Sequence, residues 1–275
     1  MFGTGIYTQQ VDFLRRRRAI ASTAADTVSR KMLLRGLSPY GFERKASPAK
    51  EFVIFRNLVK GRPAEVSMRN DQINWNTVNE IFVEKDYQFF ETLAFTPKVV
   101  LDLGANVGVA LSYIQSLWDD CQIYSFEPGD YEADQAEKNL RKPHHHLIRK
   151  AVGSIDGDVI FQINSKLGPL QSMIFPVEGA LEKRLPCVTL DTFCREADIK
   201  PEILKIDVEG AEYEVLKGAS KTLESVKVIV METHRPDIHW NCRKLLQDLD
   251  FDIRQDTHRG NFSEGEARIL AAERS

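Results

Sequence analysis

An open, mostly parallel α/β sheet is the fold class that the sequence predicts, and three observations predict it. Short apolar runs alternate with helix-like segments along the chain, a rhythm that builds right-handed β-α-β units. Val99-Val100-Leu101-Asp102-Leu103 and Ile203-Leu204-Lys205-Ile206 are nearly continuous apolar runs, as strands covered on both faces require. Two closing segments, Phe251 to Arg254 and Arg268 to Ala272, read as an antiparallel edge pair.

The elements follow in order. Residues 1–75 form an N-terminal extension: a basic helical stretch from Val11 to about Leu34, then short strands broken at Gly61-Arg62-Pro63. Residues 76–275 form the main domain. It opens with a helix from Asn76 to Leu93, ended by Thr96-Pro97, and passes into the strand 99–103. A helix from Val107 to Leu117, a strand from Gln122 to Glu127, a helix from Tyr131 to Leu140 and a third strand from His146 to Val152 come next. Strands over Asp158 to Ile163 and Pro186 to Leu190 flank an irregular insertion, 164–185. A short helix starts at Asp191, and the fourth strand, 203–207, leads to a helix from Gly210 to Leu223. The fifth strand spans Val226 to Glu232, and Cys242 to Leu249 is helical.

Composition narrows the function classes. The 275 residues are 43% hydrophobic and 28% charged with a net charge of −3, enough apolar material for a core and no basic field for nucleic acid. The four cysteines fall in no metal-binding spacing, so reduced thiols in a cytoplasmic protein are expected. No run approaches the ~20 apolar residues of a membrane span, and no secretory leader is read at the N-terminus. Arg15 to Arg18 offers at most a weak peripheral contact with anionic lipid, against the plainer reading of a solvated face.

Ligands of open α/β sheets sit beyond the carboxyl ends of the strands, and the informative motifs lie there. Leu101-Asp102-Leu103-Gly104-Ala105-Asn106-Val107-Gly108 is a glycine turn out of the first strand. Gly104 permits the tight turn, Gly108 lets the helix begin close to the sheet, and Asp102 offers a carboxylate to a bound amine. A dinucleotide fingerprint needs a further glycine where the backbone meets the pyrophosphate, and Asn106 stands there. A sulfonium cofactor, S-adenosylmethionine, has no pyrophosphate and suits nearby carboxylates. Glu127, in Phe126-Glu127-Pro128, is about 20 residues past the turn, where an acid accepts ribose hydroxyls.

Lys205 and Asp207 share one face of the fourth strand, and Glu209 and Glu212 follow at the next helix start. A lysine inside a parallel strand needs a partner, either Asp207 or Glu232 of the fifth strand. The catalytic candidates are Asp207, Glu209, Lys205 and His234, the last in Met231-Glu232-Thr233-His234 just past a strand end; Asp207, Glu209 and His234 are the candidate bases. No metal site is expected. His144-His145-His146 lacks acidic companions, and a cation between Asp207 and Glu232 ranks behind a metal-free site.

The series of the glycine turn, Phe126-Glu127-Pro128, Ala151-Val152-Gly153, Thr189-Leu190-Asp191, Leu204-Lys205-Ile206-Asp207-Val208-Glu209-Gly210-Ala211-Glu212 and Val230 to His234 resembles the FkbM-type family of methyltransferases over about Asn79 to Ile253. The resemblance implies a class I, Rossmann-like methyltransferase fold, with seven strands and one antiparallel strand in the edge region. It implies S-adenosylmethionine-dependent O-methylation of a sugar, glycan or polyketide-like hydroxyl. Asp102, Gly104, Ala105, Asn106 and Gly108 would hold the methionine part, Glu127 and Pro128 the ribose, Ala151 and Val152 the adenine, with Asp207 also beside the cofactor. Tyr87 resembles the family's tyrosine upstream of the first strand, where it would cover the cofactor; from the residues alone it reads equally as a core aromatic. The extension would be a lid or a homodimer surface. Residues 164–185 with Ser172, and Arg235 to Trp240 with His239, would wall a small-molecule or glycan acceptor. Two alternatives stay open: a nicotinamide-dependent oxidoreductase, and a protein that binds S-adenosylmethionine without turnover.

Overall fold

The computed structural model of the chain describes residues 52–163, 172–173, 181–258 and 267–274. The Arg15–Arg18 stretch, most of the 164–185 insertion and the Ser172 side chain lie outside the described residues. The chain divides into two compact units: one takes the described residues up to Thr92 with Val107–Asp119, the other Leu93–Asn106 and the residues from Asp120 onward. The first unit thus runs past residue 75 to Thr92 and also takes in the helix after the glycine turn.

In the first unit, β1 (Phe52–Val59) and β2 (Arg62–Arg69) pair antiparallel along their whole length. Lys60 and Gly61 reverse the chain at φ 49° and 78°, the left-handed pair that matches strand twist. Asp71 caps α1 (Gln72–Val78) by accepting the Asn74 N–H at 3.0 Å. The single helix expected over 76–93 is broken. α1 runs into a π-helical turn at Asn79–Glu84, reverses at Lys85 with φ 63°, and gives way to a 3-10 turn at Gln88–Thr92. Ile81, Phe82 and Val83 are consecutive and all buried. At about 100° per residue they would cover roughly 200° of a regular helix, wider than one apolar stripe. α2 (Val109–Leu117) starts from Gly108 at φ 90°. Phe55 packs edge-on against Trp75 and Phe82, and Phe82 against Tyr113.

The second unit supplies, in chain order, β3 (Val99–Leu103), β4 (Gln122–Phe126), α3 (Asp130–Lys138), β5 (His145–Ile148), β6 (Ala151–Val152), β7 (Gly157–Ile163), β8 (Ser172–Met173), β9 (Leu181–Val188), α4 (Leu190–Glu196), β10 (Ile203–Ile206), α5 (Glu212–Lys217), β11 (Val228–Thr233), α6 (Pro236–Asp248), β12 (Asp252–His258) and β13 (Arg268–Glu273). Seven strands form one sheet in the order β12-β13-β11-β10-β3-β4-β5. β5, β4, β3, β10 and β11 are parallel, and β13 is antiparallel to both neighbours. The reversed strand lies one place in from the edge, as the resemblance implies. The chain builds outward from β3 to β5, then returns to lay β10 on the other side of β3. That reversal of strand order opens a crevice at the carboxyl ends of β3 and β10. Every residue of β3, β10 and β11 is buried, and Leu101, Leu103, Leu204, Ile206, Ile229 and Met231 belong to one core.

The third strand departs from expectation in a way that shapes the site. β5 stops at Ile148, and Ala151–Val152 leaves the main sheet to pair with Cys187 and Val188 of β9. A four-stranded sheet, β6-β9-β7-β8, results. β9 starts at Leu181, so the expected insertion is strand over its last five residues. α6 likewise begins at Pro236, well before the expected Cys242, because proline fits the first helical turn where its missing N–H costs nothing. No helix among the described residues is long and apolar enough to cross a membrane.

Candidate active site

The carboxyl ends of β3 and β10 are bound to each other through the backbone. Gly104 has φ 81°, and a Cβ there would lie 1.7 Å from the Asp207 carbonyl oxygen, so only glycine fits. The Asp207 N–H donates to the Leu103 carbonyl at 3.0 Å, and the Gly104 and Ala105 N–H groups donate to the Phe126 carbonyl at 3.0 and 2.9 Å. Three strand ends therefore meet at one place.

Lys205 stands beneath this junction, 1% exposed. Its ammonium donates to the Gly104 carbonyl at 2.7 Å and lies 3.3 Å from Asp102 and 3.7 Å from Asp207. Burial opposes its charge, but Asp102 and then Asp207 outweigh burial and raise its pKa. Asp102 is itself fully buried and accepts the Ser125 hydroxyl at 3.0 Å. The expected role of Asp102 as an anchor for a bound amine gives way to that of the buried counter-ion of Lys205, and Lys205 holds the turn from below without reaching the crevice.

Above the junction lies a cavity of about 350 Å³. Of the residues singled out from sequence, Gly104, Asn106, Glu127, Pro128, Ala151, Val152, Asp207 and Glu209 line it. Asp102, Ala105, Lys205 and His234 do not. Glu127 is tied to both sides of the turn: one oxygen accepts the Asn106 N–H and the other the Gly129 N–H, each at 2.8 Å. Burial pushes its carboxyl up to about 7, against the lowering effect of those two bonds. Phe161 of β7 and Leu185 of β9 join Ala151 and Val152 in an apolar wall, which exists because β6 crossed to the second sheet. Sequence reasoning missed this wall and the tract Gly129 to Glu132. The proximity of that tract to Phe126-Glu127-Pro128 was the available signal. Within it, Asp130 pairs with Lys183 at 2.7 Å.

Beyond β10 the chain turns through Glu209 and Gly210, at φ 53° and 101°, which brings several acids around His234. His234 Nδ1 is 2.9 Å from Glu212, and Nε2 faces Glu209 at 3.5 Å, Asp207 at 3.8 Å and Glu232 at 3.9 Å. Burial alone would lower the His234 pKa, but the Glu212 bond and the charges of Glu209, Glu212 and Asp207 hold it well above its ordinary value. An imidazole caged in this way keeps its proton, so His234 is a poor general base. His239 is fully buried against Thr233 and Asp256, not a wall for an acceptor, while Trp240 is 55% exposed. In the first unit, Tyr87 is 2% exposed and stacks on Phe90, the packing of a core aromatic.

The Methyltransferase FkbM domain matches residues 102–253, more than half of the chain. The chain is 27% identical over 153 residues to the hexuronic acid methyltransferase AglP of Haloferax volcanii, covering 54% of this chain and 62% of that relative, so the match spans less than two thirds of the relative's length. It is 28% identical over 238 residues to the methyltransferase sdnD of Sordaria araneosa, covering 71% of this chain and 88% of that one. It is 24% identical over 173 residues to the 2-O-methyltransferase NoeI of Sinorhizobium fredii, covering 55% and 70%.

Proposed function

The chain belongs to the FkbM methyltransferase family, and from that premise and the cavity's geometry we propose that it transfers a methyl group from S-adenosylmethionine to a hydroxyl of a sugar, glycan or natural product. The observation that carries this reading is Glu127: a carboxylate beside the glycine turn, fixed by two backbone amides and facing the cavity. Each of its oxygens has a lone pair beyond the one its amide uses, so the pair can accept both ribose hydroxyls.

The remaining residues fit the same cofactor. About 350 Å³ lies within the usual range for small-molecule sites, roughly 300–1,000 Å³. Ala151, Val152, Phe161 and Leu185 offer an apolar slot for a flat base. Glu132 adds a further carboxyl side chain to the lining. When bound, the cofactor supplies an electrophilic methyl group on a sulfonium. Asp207 and Glu209, just past the carboxyl end of β10, line the cavity, where their carboxylates favour that cation and can take the acceptor's proton. Gly104 and Lys205 keep these groups in place. The names of the relatives, one acting on hexuronic acid and one a 2-O-methyltransferase, support a carbohydrate hydroxyl as the acceptor. A cytoplasmic location belongs to the same reading.

The test is transfer of label from methyl-labelled S-adenosylmethionine to a panel of hexuronic acid glycosides, neutral glycans and hydroxylated natural products. Label on oxygen of one acceptor class is the expected result. Cofactor binding with no transfer to any pool would favour a non-catalytic binding protein.

A further inference from the structure

The acids around His234 exceed what proton chemistry at one base needs. Asp207, Glu209, Glu212 and Glu232 all lie within 4 Å of a single imidazole, and the cationic ammonium nearby, Lys205, is shared with Asp102. The two ring nitrogens differ in kind. Nδ1 makes a bond of ordinary length to Glu212, at 2.9 Å, whereas the Nε2 distances of 3.5, 3.8 and 3.9 Å exceed normal hydrogen bonds. Ligands that each sit about 2.0–2.2 Å from one ion stand roughly 3.0–3.5 Å from one another, close to the spacing around Nε2. Ligand atoms of Asp207, Glu209 and His234 all fall within 4.8 Å of each other.

Glu212 supplies a second, independent observation. Its side chain is fully buried and its Oε1 holds both His234 Nδ1 and the Gly210 N–H, while its Oε2 is buried without a hydrogen-bond partner. A buried carboxylate that orients a histidine through one nitrogen, leaving the other toward two acids, is the supporting arrangement of metal-bound imidazoles.

We propose that Asp207, Glu209 and His234 Nε2 bind one divalent cation, with Glu232 within reach and Glu212 as the outer partner that fixes the ring. The cation replaces the proton on Nε2. Two carboxylates and one imidazole favour a first-row transition ion such as Mn²⁺ over Mg²⁺, which prefers all-oxygen shells and bound water. This rests on the methyl-transfer reading and deepens it: a cation here would bind the acceptor hydroxyl and lower its pKa, so that its proton leaves to solvent water and the oxygen takes the methyl group as the carbon–sulfur bond breaks and S-adenosylhomocysteine departs; Asp207 and Glu209 then hold the ion in place of taking the proton themselves. Such a site selects acceptors with a second oxygen next to the reacting hydroxyl, so that both oxygens reach the ion.

The test is Mn²⁺ binding to the full chain by electron paramagnetic resonance, beside calorimetry with S-adenosylhomocysteine. One Mn²⁺ per chain is expected, lost in the Asp207→Asn/Glu209→Gln double variant. Glu212→Gln, with thermal melting as the check on folding, is expected to weaken Mn²⁺ about 10–100-fold. Homocysteine-nucleoside binding without Mn²⁺ overturns the cation site and leaves methyl transfer standing. Mn²⁺ binding that survives the double variant overturns the assignment of ligands. Mn²⁺ binding that the double variant abolishes, with no nucleoside binding, supports the site and removes the methyl-transfer reading.

Discussion

Lys205 of β10 and Asp102 of β3 face each other across the parallel register of the two strands, ammonium to carboxylate at 3.3 Å, with both side chains out of water. Removing one partner strands a buried charge, at a cost of about 3–5 kcal/mol. Lys205→Met is therefore expected to lower stability by that amount in urea unfolding. The double variant Lys205→Met/Asp102→Leu should recover most of it, since an apolar pair of similar volume is often neutral. Equal losses in the single and double variants would show that the two residues do not act as a pair.

The close approach at Gly104 gives a second prediction. Gly104→Ala adds a Cβ 1.7 Å from the Asp207 carbonyl oxygen and also holds alanine at φ 81°. Left-handed strain alone costs roughly 1–2 kcal/mol, and the clash adds to it by pushing β3 and β10 apart. Gly61→Ala is the control: φ is 78° there, with nothing within 4 Å. Gly61→Ala should show the strain alone, and Gly104→Ala a larger loss together with loss of S-adenosylhomocysteine binding. Equal melting temperatures for the two variants would contradict this.

Glu127 sets a pH dependence for the cofactor. Its carboxyl is raised from 4.5 to about 7 by burial, so between those values the folded protein carries a proton that the unfolded chain releases. The contribution of Glu127 to folding accordingly falls as pH rises through that window. Binding runs the other way. Two ribose hydroxyls need the ionised, acceptor-only form, so affinity for S-adenosylhomocysteine should rise as pH climbs through about 7. Calorimetry from pH 6 to pH 8 checks the slope, and Glu127→Gln should flatten it.

The cage around His234 separates binding from turnover. Glu209→Gln changes a half-exposed side chain and should leave S-adenosylhomocysteine bound. Turnover on any accepted hydroxyl should fall by about 10²–10⁴-fold, the usual worth of help with the acceptor's proton, whether Glu209 takes that proton or holds the cation that lowers its pKa. His234→Asn should reduce turnover without removing the acidic limb of the rate profile, where rate falls as the group that must lose a proton becomes protonated, because an imidazole held above its ordinary pKa is not that group. Disappearance of that limb in His234→Asn would return His234 to the role of base.

The strands and the acids were legible because they follow local rules. Continuous apolar runs made β3, β10 and β11, and Glu127 was found by its spacing from the glycine turn. What stayed hidden depends on register and crossover. Nothing local distinguishes Asp102 from Asp207 or Glu232 as the partner of Lys205; the pairing is set by how β10 lies against β3. The apolar wall of Phe161 and Leu185 appears only when Ala151–Val152 leaves the third strand for β9. The break at Lys85 follows from burying Ile81, Phe82 and Val83 together, which periodicity alone does not reveal.

Calorimetric titration of S-adenosylhomocysteine into the full chain and its Glu127→Ala variant tests the account most directly. One site per chain in the unmodified protein, with binding lost or reduced by at least about tenfold in Glu127→Ala, is the expected result, since a lost pair of charge-assisted hydrogen bonds is worth roughly 1.5–3 kcal/mol or more. No heat with the unmodified chain, or equal affinity in the two proteins, would contradict it.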